Sequence, residues 1–156
     1  MHKSSLPHLF RLFFITFFLV SCSKDKVNSP PQTPKIEVDD IKTLGGSKNE
    51  SAQAVVNTTD GGYAILGHTQ SMDGDVTNKF NESYDYWILK YDSTNQIQWQ
   101  KTYGGSADDR GTDITQTIDG GYAVIGKSKS SDGEVSENAG YDDFWIIKLD
   151  ENGSIT

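Results

Sequence analysis

Cysteine occurs once in the 156 residues, at Cys22, which excludes an intramolecular disulfide even in a compartment that would permit one. Histidine is almost as scarce: His2 and His8 sit at the extreme N-terminus, and only His68 lies in the remainder. A histidine–cysteine zinc site is thereby excluded, and a Ser-His-Asp arrangement would have to rest on one residue. Positive charge is outweighed, with 14 Lys and Arg against 22 Asp and Glu and a net charge of −8. An acidic surface of this kind argues against nucleic acid as a partner. Long apolar runs are missing too. The one candidate, residues 12–20, falls short of the roughly 20 residues that a membrane span requires.

That apolar stretch follows Lys3 and Arg11 and ends in Leu19-Val20-Ser21-Cys22, the layout of a secretory signal with a small residue before the cysteine. The ending resembles the lipobox of bacterial lipoproteins. The resemblance implies that residues 1–21 are a signal peptide, that cleavage leaves Cys22 as the mature N-terminus, and that Cys22 is the lipid attachment site, with palmitate among its chains. Each buried methylene adds about 0.8 kcal/mol, so two or more acyl chains make a lasting anchor. The expected partner of this end is a membrane, and the expected location is the envelope of a Gram-negative bacterium, at the periplasmic or surface face of the outer membrane. Residues 22–35 carry Pro30, Pro31 and Pro34 among polar side chains and read as an extended tether.

Beyond the tether, residues 36–156 contain one pattern twice, with a period of about sixty residues. Setting residues 43–76 against 102–135 without a gap pairs Gly45/Gly104, Gly46/Gly105, Ser47/Ser106, Tyr63/Tyr122, Gly67/Gly126 and Asp73/Asp132. After a one-residue deletion, Asp85-Tyr86-Trp87-Ile88-Leu89-Lys90-Tyr91-Asp92 faces Asp143-Phe144-Trp145-Ile146-Ile147-Lys148-Leu149-Asp150. Within the first unit, turn residues bound four expected strands near 52–58, 63–70, 86–91 and 97–103. Strand two, around Tyr63-Ala64-Ile65-Leu66-Gly67, suits cover on both faces. Strand three alternates Trp87, Leu89 and Tyr91 with Ile88 and Lys90, which predicts one face toward solvent. Asp60-Gly61-Gly62 and Asp119-Gly120-Gly121 predict tight hairpins. Asn95 and Gly153 occupy matching turn positions and predict a left-handed backbone there. Four antiparallel strands per sixty residues is the outline of a propeller blade.

The pattern Gly-Gly-Ser, Asp-Gly-Gly-Tyr, Ser-x-Asp-Gly, Asp-x-Trp-Ile-x-Lys-x-Asp and Ile-x-Trp-x-Lys-Thr-x-Gly-Gly resembles the bacterial β-propeller repeats of cell-envelope proteins. It is carried here by Gly45-Gly46-Ser47, Asp60 to Tyr63, Ser71 to Gly74, Asp85 to Asp92 and Ile97 to Gly105, with the second copy running to Asp150. The resemblance implies an all-β fold of antiparallel four-stranded propeller-type blades. It implies no particular activity. A closed propeller takes about four or more blades, and two repeats, about 44–103 and 104–156, are too few to close one alone. The stretch from Ile41 to Gly46 matches the end of a fourth strand, and the second repeat stops before the counterpart of Trp99. Two expectations follow: a fragment of a longer propeller, or association with further copies. Either exposes strand edges and apolar faces.

Candidate chemistry is sparse. Asp73, Asp75 and Asn78, matched by Asp132, Glu134 and Asn138, offer oxygen ligands at alternate positions, but they do not make a complete calcium loop, since the bidentate glutamate is missing. Ser-x-Asp-Gly is equally a turn whose aspartate caps backbone amides, and no metal site is assigned. His68 aligns with Lys127, which suits a solvent-facing strand residue. Asn49-Glu50 and Asp108-Asp109-Arg110 read as solvated turns. Trp87, Trp99 and Trp145 could form a sugar platform, but their periodic placement favours packing. Gly45-Gly46-Ser47 and Gly104-Gly105-Ser106 lack the lysine and helix of a phosphate loop. The expected function is therefore a non-catalytic envelope lipoprotein whose repeats form an interaction or ligand-binding surface, with no catalytic residue, no cofactor and an unspecified ligand site. Its partner is a further copy, a protein or a glycan. The alternatives are a fragment of a carbohydrate-active or other propeller enzyme, and a degenerate product without independent function.

Overall fold

The computed structural model describes residues 42–156. The signal segment, Cys22 and the tether lie outside the described residues, as does Ile41. Seven strands run through the chain: β1 Glu50–Asn57, β2 Tyr63–Thr69, β3 Asp85–Tyr91, β4 Ile97–Tyr103, β5 Asp109–Gln116, β6 Tyr122–Ser128 and β7 Asp143–Leu149. They form two antiparallel sheets, one of four strands in the order β1-β2-β3-β4 and one of three in the order β5-β6-β7. The fold is all-β, no helix occurs among the described residues, and the two sheets do not close a ring.

The two repeats build the same local structure. Both first strands carry an irregularity at the same step, between Ala52 and Ala54 and between Gly111 and Asp113. Each hairpin into the second strand closes through backbone bonds, Thr58 N to Gly62 O at 2.9 Å and Thr117 N to Gly121 O at 2.8 Å. The aspartate of the turn accepts from the second glycine's amide, Asp60 from Gly62 and Asp119 from Gly121, each at 3.1 Å. A side chain at Gly62 would collide with the carbonyl of Tyr91, and one at Gly121 with that of Leu149, so both glycines are required by close approach. The next turn is anchored by Asp92 in one unit and Asp150 in the other. Asp92 accepts from the amides of Thr94 and Gln96, and Asp150 from those of Asn152 and Ser154. Asn95 and Gly153 adopt φ of 67° and 73°, the left-handed backbone expected of them.

Two expectations are corrected. Strand β3 has no solvent face: every residue from Asp85 to Tyr91 is buried. Tyr86 and Ile88 point into the main core, while Trp87, Leu89 and Tyr91 form a second cluster with Val76, roofed by Leu44, Tyr63 and Ile65. Lys90, expected at the surface, is 3% exposed, because its ammonium is taken up by Asp60, Gln98 and the Tyr91 carbonyl at 2.8 to 2.9 Å. The second correction concerns the stretch before β1. Residues 42–46 are not a strand; Leu44 is spent on roofing the second cluster. After β7, Ile155 makes an isolated bridge to Leu149, repeating the Ile97 and Tyr91 pairing of the first unit.

The main core lies between the sheets. Ala64, Leu66, Tyr86, Ile88 and Tyr103 from the first meet Ile114, Tyr122, Val124, Ile147 and Leu149 from the second. At 20–33 cal/mol per Å² of apolar surface, a seam of this many large side chains is the main source of cohesion between the units.

Candidate functional site

The seam is where the structure concentrates polar chemistry. The Tyr86 hydroxyl donates to the carbonyl of Trp145 at 3.2 Å, and the two rings lie 4.7 Å apart. The Tyr103 hydroxyl and the Lys101 ammonium both donate to the Gly153 carbonyl, at 2.7 and 3.0 Å. A backbone bond crosses as well, from Asp109 N to Tyr84 O at 2.5 Å. The Arg110 guanidinium stacks 4.0 Å from the centre of the Tyr84 ring.

Two carboxylates are buried within this seam. Asp109 opens β5 fully buried, and its Oδ2 accepts from the Gly105 amide and the Ser130 hydroxyl, both at 2.8 Å. Asp85 opens β3 at 6% exposure, with its Oδ2 paired to the buried ammonium of Lys79 at 3.0 Å. The Oδ1 atoms of both acids have no hydrogen-bond partner. Burial pushes the Asp85 carboxyl up to about 7, with the charges of Asp109 and Glu134 adding and Lys79 opposing. Beside the pair opens a cleft of about 380 Å³ lined by Lys79, Asp85, Gly104 and Glu134 among others. At the edge of this cleft Asp85 can exchange an ion pair with Lys79 for a proton. The Ser130 hydroxyl that donates to Asp109 is itself buried, and no histidine among the described residues joins the pair.

The loops between the second and third strands are capped turns. Asp73 accepts from the Ser47 amide at 2.8 Å and Asp132 from the Ser106 amide at 2.7 Å, and these bonds hold both acids below the usual carboxylate range. Asp75 and Glu134 accept from the amides of Gly45 and Gly104 at 3.0 and 3.1 Å. Gly45-Gly46-Ser47 and Gly104-Gly105-Ser106 thus present their amides to the chain's own acids. Asn78 sits at positive φ, and Asn138 donates to the Ser128 carbonyl at 2.9 Å. No group of three or more acid, histidine or cysteine side chains poised for a metal occurs among the described residues.

The remaining candidates are dispersed. Trp87 is buried with its indole donating to Gln100 at 2.9 Å. Trp99 reaches across to the Glu151 carbonyl at 3.1 Å and meets Tyr122 edge-on, and Trp145 leans on Tyr86. They pack the core and the seam and make no shared platform. His68 is not the solvent-facing residue expected from its alignment with Lys127: it is half-buried against Tyr84, rings 5.2 Å apart, and burial lowers its pKa. Asp108-Asp109-Arg110 is likewise no solvated turn, since Asp109 is buried and Asp108 accepts from the Tyr84 amide at 3.2 Å. Glu50 takes the corresponding place in the first unit, accepting from Gly46 N and the Thr69 hydroxyl at 3.4 and 2.8 Å.

Sequence reasoning missed the buried Lys79 and the acid pair. The shared aspartate at 85 and 143, together with acids at 50 and 109, was the available signal. Lys79 gave none, because the shorter second loop has no lysine between Lys129 and Lys148. Compared with known proteins, the chain matches no protein-family model and no curated protein. Among the described residues no helix is long and apolar enough to cross a membrane.

Proposed function

We propose that this chain is a non-catalytic lipoprotein of the Gram-negative cell envelope, held to the outer membrane through acyl chains on Cys22, in which two propeller-type blades present an interaction surface. The observation that carries the interaction reading is the unequal treatment of matching faces. Tyr86 and Ile88 of the first unit are wholly buried in the seam, while their counterparts Phe144 and Ile146 are 78% and 63% exposed. Large apolar side chains kept on an open sheet face mark a surface for association. The anchoring reading rests on Leu19-Val20-Ser21-Cys22 behind a charged and then apolar N-terminus. The non-catalytic reading draws on the dispersal of the tryptophans and on the acid pair lying inside a packing seam with no nucleophile and base beside it.

The full chain expressed in a Gram-negative host tests the anchor directly. Mass spectrometry of the mature N-terminal peptide should find Cys22 first and acylated, and Cys22→Ser should leave the unprocessed chain without acyl chains. An N-terminus at any other residue, or an unmodified Cys22, would refute it.

A further inference from the structure

The seam inside the chain is a template for one between chains. It joins two different faces: the first unit contributes Leu66, Tyr86 and Ile88, and the second contributes Ile114, Tyr122 and Val124. Because the units repeat, each face exists once more, without a second sheet packed on it among the described residues. The counterparts of Leu66, Tyr86 and Ile88 are Ile125, Phe144 and Ile146, half-buried or exposed on the outer side of the three-stranded sheet. The counterparts of Ile114, Tyr122 and Val124 are Val55, Tyr63 and Ile65, on the outer side of the four-stranded sheet. Ile114 is 5% exposed and Val55 is 66%. Leu44 lies over this second face in the place that Tyr103 takes at the seam, so the counterpart surface is assembled and not only encoded. One molecule therefore displays both halves of an interface whose fit is already realised within it.

We propose that these two faces bind each other in successive copies of the chain, head to tail, with Phe144 and Ile146 of one copy packed on Val55 and Ile65 of the next. The proposal rests on the interaction-surface reading above and names its partner as a second copy. A head-to-tail contact is heterologous, and it closes into a ring when the rotation between copies allows. With about four to eight blades in a closed propeller, a ring takes about two to four copies. One feature of the inner seam is not repeated. Asp143 replaces Asp85 and Glu50 replaces Asp109, but no lysine corresponds to Lys79. The contact between copies brings two acids together without a counterpart of Lys79, since Lys127, opposite Phe144 on this face, is already paired with Asp142 at 2.9 Å, so it is weaker than the contact within the chain, and Asp143→Asn should tighten it.

The test uses the full chain in detergent, with micelles in excess over protein, and measures the mass of the protein complex by light scattering. Phe144→Asp spoils one face and Val55→Asp the other. Both positions are exposed, so both variants should fold, and matching circular dichroism and thermal transitions verify this. The expected result is that wild type forms a discrete oligomer, that each variant alone is weakened in association by about tenfold or more, and that an equal mixture restores association but stops at dimers. Only a heterologous contact between two unlike faces gives that complementation. A wild-type chain that stays monomeric overturns the second-copy proposal while leaving the interaction-surface reading to be pursued with other occupants, such as a further blade or a foreign protein. Oligomers that neither variant disturbs overturn both the proposal and the assignment of these faces as the interaction surface.

Discussion

Asp85 and Asp109 are buried side by side at the junction of the two sheets, where one added carbon on Gly104 would strike a carboxylate oxygen of each at 2.6 Å. Taking Asp85 out of water disfavours its charged form more than Lys79 favours it, and the neighbouring charge of Asp109 adds to the rise. The Asp85 carboxyl accordingly rises from 3.8 to about 7, burial being the largest cause.

A pH dependence of stability follows from that shift. In the folded chain Asp85 holds its proton more tightly than in the unfolded chain, so folding is helped at low pH and hindered once the group must ionise. Below about pH 4 both states are protonated and the shift has no effect. Between about pH 4 and 7 stability is lost as pH rises, at up to about 1.4 kcal/mol per pH unit. Carboxylates such as Asp73 and Asp132 act in the opposite sense, because their lowered values remove stability as pH falls. The contribution of Asp85 is therefore read as a difference. Asp85→Asn should lose less stability than wild type between pH 4 and 7 in parallel denaturant titrations, and parallel profiles would refute the assignment.

Much of this architecture was legible in the sequence, and the limits have a physical pattern. Strand positions, both hairpins and the left-handed turn at Asn95 and Gly153 were readable because local backbone geometry restricts which residues can occupy them. Lys90 misled because alternation assigns a side chain to a face without saying what else lies on that face. The Asp60 carboxylate, brought in by the preceding hairpin, turns an expected solvent position into a buried ion pair. His68 and Asp109 misled for a related reason. Each lies at the seam, and a seam depends on how two sheets pack, which no periodicity within one sheet records. The acid pair required that same packing, plus a lysine supplied by a loop without a counterpart.

The repeated ion pairs offer an internal comparison. Lys90 meets Asp60 and Lys148 meets Asp119, each at 2.8 Å, but the Lys90 side chain is 4% exposed and that of Lys148 is 37%. Removing the acid from a buried ammonium leaves that charge with only the neutral acceptors Gln98 and Tyr91 and no counter-ion, whereas water can solvate the exposed one. Asp60→Asn should cost on the order of 1–3 kcal/mol, and Asp119→Asn should cost less. Chemical denaturation of the two variants checks the order. Equal losses would mean that the ion pairs matter only as turn caps.

Lys79 is the cation on which the acid pair depends. Its side chain is fully buried and it also donates to the Asn81 carbonyl and side chain, at 2.7 and 3.0 Å. Lys79→Met keeps most of the volume and removes the charge, leaving Asp85 buried without its counter-ion. Asp85 holds its proton up to about pH 7, and higher still once Lys79 is gone, so the loss should be small near about pH 5 and grow above about pH 7 toward roughly 3–5 kcal/mol. Combining it with Asp85→Asn should recover a large part of the loss, because the uncompensated charge is then gone. Denaturation of the two variants and the double variant checks this, and a double variant as unstable as Lys79→Met would locate the effect in packing.

Gly111 supplies the steric complement to this electrostatics. A Cβ built on it would stand 2.6 Å from a methyl carbon of Leu66, a residue with no exposed surface at the centre of the seam. Contacts that short do not occur, so Gly111→Ala must push Leu66 or the whole of β5 aside, at about 1–3 kcal/mol for an overpacked core. Leu66→Val alone trades a methylene for a small cavity at roughly 1 kcal/mol. Joined with Gly111→Ala, it frees the space that the new methyl needs, so the double variant should be more stable than the sum of the two losses predicts. The double-mutant cycle, measured by denaturation, isolates the contact between the two units from the stability of each sheet. Additive losses would mean that the strand irregularity between Gly111 and Asp113, and not the approach of Leu66, is what requires a glycine at this position.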